Sequence, residues 1–457
     1  MTASMLLRDV ELEGEVRDVR VQDGVVAAVG HQLNRLGADE VEVLGHRGAL
    51  LPGLHDHHIH LLATAAAETS VACGSPRVRS RADLGVVLNA SAPRNGWIRG
   101  IDYDDGTVGL LDRAALDQLR DDVPVRIQHR GGALWVFNSR GMEAAGLDVV
   151  DREGVERDTG GMATGRVWQS NGWLADYTGS QELPDLVALG SRLAALGITG
   201  VTDATPDLSA ETGEILRTGL PQRVRLLGRA DDSMPIKIVV AEHAVPSPER
   251  LCDLIHSARP RPVALHCVSR AALVVLIRAL HEVGAVTGDR VEHAAVCPPE
   301  LAAELAALGI VVVTQPSIVA MRGDDYLDRV DPEDVPFLWP YGSLVAGGVH
   351  VACSSDAPYG DLDPWRGIAA ASLRLTDSGR RIGASEAVPA GVALAGYLTP
   401  LHDPGGQVRT VRVGVAADLL LLDRPLSEAL AQLNAHVVAM TLIGGRLVHS
   451  RDSSVLR

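Results

Sequence analysis

The sequence has few aromatic residues, few cysteines and no long apolar run, and each absence excludes a class of protein. Aromatic residues make up 3% of the 457 residues, so aliphatic side chains and alanine must fill the core. The five cysteines are scattered and form no Cys-x-x-Cys pair, which is typical of a reduced, cytoplasmic protein. No apolar stretch approaches the ~18 residues of a membrane span, and the N-terminus lacks a signal-peptide pattern. We therefore expect a cytoplasmic protein.

The charge balance restricts the kind of partner. The formal net charge is −16, which argues against nucleic acid and anionic membranes because both would repel the chain. A local arginine or a metal ion can still bind an anionic group, so a small-molecule substrate is the expected partner. The sequence leaves a homo-oligomer open.

Length and patterning indicate one large domain and one small one. A (β/α)8 barrel takes about 250 residues or more, and 457 residues leave room for a smaller domain. Both ends of the chain consist of short alternating segments, whereas the middle alternates apolar strands with helices rich in alanine and leucine. We predict an α/β fold in which residues 50–407 form a TIM barrel with an insertion within about 65–180. Residues 1–49 and 408–457 would form a small β-sandwich.

The most informative segment is the run LPGLHDHHIH at residues 51–60. On a β-strand, residues i and i+2 point to the same face, so His58 and His60 would project together. Neutral imidazole is the commonest metal ligand in proteins. His55 and His57 alternate with this pair and should point away from the metal. The alternative interpretation is a polar, histidine-rich loop, and the matching residues further along the chain disfavour it.

Four further polar residues follow at the spacing of strand–helix units. Lys237, His266 and His293 succeed one another at intervals of about 30 residues, and Asp356 follows after about two such intervals. A (β/α)8 barrel places its active site at the carboxyl ends of its strands. If His58 is on strand one, the four residues fall on strands four, five, six and eight.

Five motifs recur in a specific order along the chain. They are PGLHDHHIH at 52–60, GITGVTD at 197–203, VEHA at 291–294, SSDAP at 354–358 and VGVAADL at 413–419. Together they resemble the amidohydrolase superfamily, specifically amidohydrolase family 3. The order of the motifs is more specific than any one of them alone.

This resemblance implies a divalent metal centre of one or two ions, most naturally Zn²⁺, which imidazole and carboxylate ligands suit. It also implies a role for Lys237, because many relatives carry a carboxylated lysine on strand four that bridges two metals. Burial near metals lowers the pKa of such an amine. Glu242 and His243 are the alternative ligands on that strand. The other ligands that the resemblance implies are His58, His60, His266, His293 and Asp356.

Three residues are candidates for substrate binding. Arg130 ends a strand-like segment and can bind a substrate carboxylate with two hydrogen bonds, and a structural salt bridge is the equal alternative. Gln315 ends strand seven and would line the pocket. Trp97 lies in the predicted insertion.

The expected function is hydrolysis of a non-peptide carbon–nitrogen bond, most naturally an amide. Water activated by the metal would attack the carbonyl carbon, and Asp356 would accept its proton and pass it to the leaving amine. His293 would help to stabilise the oxyanion. A deaminase of an aminated heterocycle is the alternative enzyme, with Glu242 as its acid–base candidate. A degenerate barrel that acts as a binding or scaffold protein is the non-enzymatic alternative, and the complete ligand set argues against it.

Overall fold

Strands dominate both ends of the chain and recur through its middle. The computed structural model describes residues 4–168, 173–178, 183–240 and 245–452. The strands are β1 (Met5–Leu12), β2 (Glu15–Gln22), β3 (Val25–Gly30), β4 (Val41–Leu44), β5 (Leu50–Pro52), β6 (Leu54–Ile59), β7 (Val71–Ala72), β8 (Ile98–Tyr103), β9 (Val125–His129), β10 (Leu134–Phe137), β11 (Val155–Arg157), β12 (Ala163–Trp168), β13 (Ile198–Asp203), β14 (Arg223–Leu226), β15 (Ile236–Val239), β16 (Val263–Cys267), β17 (Arg290–His293), β18 (Val311–Thr314), β19 (His350–Cys353), β20 (Leu419–Leu422), β21 (Val438–Ile443) and β22 (Arg446–Ser450).

Helices lie between the central strands. They are α1 (Leu61–Ala67), α2 (Arg81–Ala90), α3 (Asp105–Val108), α4 (Arg113–Asp117), α5 (Ser139–Ala144), α6 (Leu174–Tyr177), α7 (Leu186–Ala195), α8 (Ala210–Gly219), α9 (Pro248–Ala258), α10 (Arg270–Val283), α11 (Pro299–Ala307), α12 (Ser317–Arg329), α13 (Tyr341–Ala346), α14 (Pro364–Leu373), α15 (Ala390–Tyr397) and α16 (Leu426–Gln432). Short 3₁₀ turns occupy Val335–Phe337, Ala384–Glu386 and Ala435–Val437. Within the described residues, no helix is both long enough and apolar enough to cross a membrane.

The chain divides into two compact units, Met1–Leu61 with Leu186–Arg457 and Leu62–Asp185. In the first unit, two four-stranded sheets draw strands from both ends of the chain, in the orders β3-β2-β1-β4 and β22-β21-β20-β5. Leu7 on one sheet and Leu421 on the other belong to a single buried core. The two sheets therefore pack face to face and bury the apolar residues of their alternating strands.

The rest of the first unit is built on parallel strands. Within the described residues, a three-stranded sheet has the order β14-β13-β6 and a five-stranded sheet has the order β15-β16-β17-β18-β19, and all neighbours in both sheets run parallel. Helices connect most of these strands, as parallel pairing requires. Strands β6 and β13 are buried at every position, which is typical of strands covered on both faces. The predicted α/β class is confirmed, and the carboxyl ends of the strands in each sheet lie side by side.

The second unit has a sheet and a core of its own. Its six-stranded sheet has the order β11-β12-β10-β9-β8-β7, with parallel pairing from β7 to β9 and antiparallel pairing beyond. Tyr103, Val125 and Val136 are among its buried core residues. This unit occupies the long stretch of chain between β6 and β13.

Candidate metal centre

The carboxyl ends of the parallel strands bring the predicted ligands together. His58 lies on β6 and His60 directly follows it. In the other sheet, Val239 on β15 pairs with His266 on β16. Lys237 therefore lies two residues nearer the amino end than His266, on the same face. Its long side chain spans that difference, because Lys237 Nζ lies 3.4 Å from His58 Nε2.

One half of the cluster gathers around a single carboxylate oxygen. Asp356 Oδ1 lies 3.5 Å from His58 Nε2 and 3.4 Å from His60 Nε2. One ligand atom from each of these three residues lies within 4.8 Å of the others. Two imidazole nitrogens and one carboxylate oxygen that converge in this way form a candidate cation site.

The other half is a pair of histidines. His266 Nδ1 lies 2.9 Å from His293 Nε2, and the ring centroids of His293 and His58 are 5.0 Å apart. Gln315 fixes the orientation of His293, because its Oε1 lies 2.7 Å from His293 Nδ1 and its Nε2 donates to Ser354 Oγ at 2.8 Å. Gln315, predicted to line the pocket, thus contacts a candidate ligand.

A left-handed backbone turns His293 toward the cluster. On β17, His293 pairs with Cys267 and Glu292 pairs with His266, so simple alternation would direct Glu292 and His293 to opposite faces. His293 has a φ of 75° and the next residue, Ala294, a φ of 47°. These positive angles are uncommon outside glycine. They break the alternation, so that Glu292 contacts His58 and His293 contacts His266.

The surroundings of these side chains favour the protonation states that a metal requires. Burial lowers the pKa of His58 to about 3, and it also lowers the pKa values of His266 and His293. Burial alone would raise the pKa of Asp356, but hydrogen bonding to His60 and the nearby His58 and His293 hold that pKa well below its usual range. Neutral imidazoles and an ionised carboxylate are the forms that bind divalent ions, so the donor set fits a metal.

Two buried aspartates, Asp56 and Asp203, support the histidine strand through contacts that no sequence motif indicates. Asp56 Oδ1 accepts hydrogen bonds from the backbone N–H groups of His58 and Ser355 at 3.2 and 3.0 Å. Asp203 accepts from the N–H groups of Leu61 and Thr205 at 2.7 and 2.8 Å. Both carboxylates therefore tie β6 to segments that are distant in the sequence. Burial raises the pKa of Asp56 to about 6.

The outer face of β6 follows the alternation expected from the sequence. His55 Nδ1 donates to Thr399 O at 2.8 Å, and His57 Nε2 lies 2.9 Å from Thr399 Oγ1. Both rings are buried, and burial lowers the pKa of His57 to about 3. These two histidines thus hold the strand in place on the side away from the cluster.

Lys237 is also distinguished by the rarity of its residue type in this sequence. Of the 42 lysine and arginine residues in the chain, Lys237 is the only lysine. Arginine cannot supply a neutral primary amine near neutral pH, whereas burial lowers the pKa of Lys237 to about 8. Lys237 can therefore supply a neutral amine that none of the arginines can.

The remaining candidates lie elsewhere. Trp97 and Arg130 belong to the second unit: Trp97 packs edge-to-face on Phe137 with ring centroids 6.2 Å apart, and Arg130 Nη1 lies 3.4 Å from Asp104 Oδ2. Their assignment to substrate binding stays a prediction. Glu242 and His243, the alternative ligands on strand four, lie outside the described residues.

A second group of potential ligands lies in the second unit. Asp104, Asp105 and His129 each offer an atom within 4.8 Å of the others. The Asp104 carboxylate already accepts from the N–H of Gly106 at 3.0 Å and from Thr107 Oγ1 at 2.9 Å. These contacts make Asp104 the N-cap of α3, which accounts for its position without a metal.

Comparison with known proteins identifies the family of the chain. The model of the amidohydrolase family matches residues 48–449. The chain belongs to the amidohydrolase family. It is accordingly a hydrolase that acts on carbon–nitrogen bonds other than peptide bonds, and the predicted family and enzyme class are confirmed.

Individual relatives of this amidohydrolase agree in length and fold. An N-substituted formamide deformylase from Arthrobacter pascens is 26% identical over 95% of each chain. Among solved structures, an uncharacterized metal-dependent hydrolase from Pyrococcus horikoshii is 17% identical and covers 98% of this chain and 100% of its own, with a TM-score of 0.71. A second metal-dependent hydrolase, from Pyrococcus furiosus, is 19% identical over 92% and 99% of the two chains, with a TM-score of 0.67. These two solved structures share the fold of this chain.

Proposed function

We propose that this amidohydrolase hydrolyses the amide bond of a small molecule at a divalent metal centre. The observation that carries the proposal is the approach of His58 Nε2 and His60 Nε2 to within 3.5 and 3.4 Å of Asp356 Oδ1. The donor set favours Zn²⁺ as the ion. The proposed ligands are His58, His60, Lys237, His266, His293 and Asp356.

The proposed scaffold is a closed barrel of the eight parallel strands. A hydrogen bond beside the strand ends supports closure at the junction between β19 and β6. Asp356 N, just beyond the end of β19, donates to His58 O on β6 at 2.8 Å. Closure would gather every ligand at the carboxyl-terminal mouth, where barrels of this kind hold their active sites.

In the proposed mechanism, Asp356 moves the proton. A bound divalent ion supplies the polarisation that makes water nucleophilic and draws charge onto the substrate carbonyl oxygen. Asp356, ionised at neutral pH, accepts the proton from the attacking water and returns it to the nitrogen of the leaving amine. His293, held by Gln315, lies at the side of the cluster where it can help to stabilise the charge that develops on the carbonyl oxygen.

We propose that the amine of Lys237 is carboxylated to a carbamate. Its nitrogen would add to the carbon of CO₂ and release one proton, which leaves an anionic carbamate suited to bridge two metals. This reaction needs a neutral amine, and burial favours the neutral form because it lowers the pKa of Lys237 to about 8. Two metal ions are therefore the proposed complement of the centre.

The most specific part of the proposal is the substrate class. The relative from Arthrobacter pascens is named for the deformylation of N-substituted formamides, and we propose compounds of this kind as the first to test. Deamination is the weaker alternative. Its acid–base candidate, Glu242, lies outside the described residues. Glu292 contacts both Arg290 and His58, so Glu292 is not available for proton transfer.

The test is a screen of the purified, zinc-supplied protein against N-substituted formamides, N-acyl amino acids, cyclic amides and aminated heterocycles. We expect an amide to be hydrolysed by the parent and not by His58→Ala. The exposed His31 provides the matched control, and His31→Ala should retain parent turnover. Release of ammonia from a heterocycle, with every amide left intact, would replace this proposal with the deaminase, and undiminished turnover by His58→Ala would remove the centre altogether.

A further inference from the structure

Beneath the candidate metal centre, β17 carries a buried ion pair between Arg290 and Glu292. Arg290 and Glu292 are two residues apart on the same face of the strand, with 1% and 0% of their surfaces exposed. Arg290 Nη2 donates to Glu292 Oε2 at 3.0 Å, and Arg290 Nε contacts the other carboxylate oxygen. Arg290 Nη2 also donates to His57 O at 2.9 Å, which attaches the pair to β6.

Glu292 also contacts a candidate metal ligand. Its Oε2 is hydrogen-bonded to His58 Nδ1. An ionised carboxylate can only accept hydrogen bonds, so Nδ1 must carry the hydrogen. Both carboxylate oxygens of Glu292 contact the Arg290 guanidinium, a permanent cation that favours the ionised carboxylate.

This contact decides which nitrogen of His58 can bind a metal. A neutral imidazole has one N–H and one lone pair, so a hydrogen on Nδ1 leaves the lone pair on Nε2. Nε2 is the atom that faces Lys237 Nζ at 3.4 Å and Asp356 Oδ1 at 3.5 Å. The hydrogen bond on one side of the ring thus prepares the ligand atom on the other side.

We propose that Glu292, held by Arg290, is a positioning residue that fixes His58 in the Nδ1–H tautomer and so directs Nε2 at the metal. The inference rests on the metal centre proposed above. An ion pair that served only to fill the core would need no third partner, whereas here the carboxylate is shared between Arg290 and a candidate ligand.

The chemistry of glutamine supplies a sharp test. A carboxamide has one oxygen, so in Glu292→Gln the oxygen can accept from His58 only if the NH₂ group faces the Nε–H of Arg290. The opposite orientation places NH₂ against His58 Nδ1 and favours the wrong tautomer. Replacement of Arg290 by methionine removes the competing donors and frees the amide oxygen for His58.

The experiment measures Zn²⁺ affinity by competition with a chromophoric chelator in full-length protein. We expect Glu292→Gln to weaken binding about 10–100-fold, the usual cost of losing such a contact. The double variant Glu292→Gln/Arg290→Met should recover part of that loss. Glu40→Gln removes a carboxylate from another buried arginine pair, with Arg20 in the sandwich, and should leave Zn²⁺ affinity unchanged.

A second measurement is made on the parent protein. In the zinc-loaded parent, ¹⁵N spectra of the histidine rings should show His58 bound through Nε2 with a proton on Nδ1, and the signal is assigned by its loss in His58→Gln. Binding through Nδ1, or a double variant weaker than Glu292→Gln, would overturn the proposal and leave Glu292 as a structural ion-pair partner. If His58→Ala itself keeps parent Zn²⁺ affinity, the metal centre fails rather than the positioning role alone.

Discussion

In the proposed mechanism, Asp356 is both a metal ligand and the general base, and a single substitution can separate these two roles. Asp356 lies beside both His58 and His60, and its low pKa keeps it ionised at neutral pH. Asp356→Asn keeps the shape and removes the basic oxygen, so we expect kcat to fall about 10²–10⁴-fold, the range for a lost general base. The fold and part of the bound metal should remain. Steady-state kinetics with the best amide substrate and metal analysis check this.

The competing account of Asp356 makes a different prediction. If the carboxylate only accepts the backbone N–H bonds of the turn that follows, asparagine would serve nearly as well. Turnover within a few-fold of the parent would therefore remove Asp356 from the chemistry.

The single lysine allows its chemistry to be observed without interference. Burial lowers the pKa of Lys237 to about 8, compared with about 10.4 for an ordinary lysine, so its neutral form grows between about pH 7 and 9. In full-length protein supplied with ¹³C-bicarbonate, we expect one lysine carbamate signal that strengthens over this range. Lys237→Arg keeps a positive charge but cannot form the carbamate, and its spectrum should lack the signal.

The absence of any lysine carbamate at all pH values, with or without metal, would refute carboxylation of Lys237. The bridging role on strand four would then pass to Glu242 or His243. The N-terminal amine is distinguishable because its signal survives in Lys237→Arg.

At the residue scale, the sequence indicates candidate ligands more readily than the contacts that orient them. His58 and His60 follow from alternation along one strand, a local rule. Glu292 and Asp56 do not, because each contacts residues on other strands far away in the sequence. Alternation alone would even have placed His293 and Glu292 on opposite faces, and only the left-handed φ of His293 brings both toward the ligands.

At the element scale, the start of β6 depends on the close approach of the Gly53 backbone to the Thr199 side chain. A Cβ atom on Gly53 would lie 2.0 Å from Thr199 Cγ2, on the neighbouring β13. We expect Gly53→Ala to cost about 1–3 kcal/mol through overpacking, and to lower the midpoint of thermal unfolding. Gly37→Ala is the matched control, since a Cβ there meets nothing within 4 Å. Equal midpoints for the two variants would contradict this account of how β6 is seated.

Elements with local signals were predictable, and those defined by long-range pairing were not. The apolar pattern over α10 and the glycine after it predict Arg270–Val283, and Ser269 and Gly284 indeed cap this helix. The apolar pattern predicts a single strand over residues 436–443. The structure instead has a 3₁₀ turn at Ala435–Val437 before β21, because the Asn434 side chain accepts a hydrogen bond from His436 N. The strands of Leu62–Asp185 could not be predicted from the sequence, because a short apolar run does not show which strand it pairs with.

At the scale of the whole molecule, length and motif order were sufficient for the family. The match to the amidohydrolase family covers residues 48–449, which includes all five motifs. The closed barrel and the domain boundaries at 49/50 and 407/408 stay predictions, since the sheet pairing describes two parallel sheets rather than one ring.

Metal binding should stabilise the folded chain as a whole. A ligand that binds only the native state at 100 times its Kd adds about 2.7 kcal/mol to the free energy of unfolding. We therefore expect a strong chelator to lower the midpoint of thermal unfolding of the parent, and Zn²⁺ to restore it. His58→Ala should respond to neither. A parent midpoint that is indifferent to chelation would contradict a metal held by the native fold.

The most direct test of the account is a metal titration of catalysis. Full-length protein is stripped with a chelator, Zn²⁺ is added back in steps, and amide hydrolysis and bound metal are measured on the same samples. We predict that turnover is absent without metal, rises in proportion to bound metal and saturates at one or two ions per chain, with no recovery in His60→Ala. Full turnover by the stripped protein, or metal that binds without any gain in hydrolysis, would contradict the central claim.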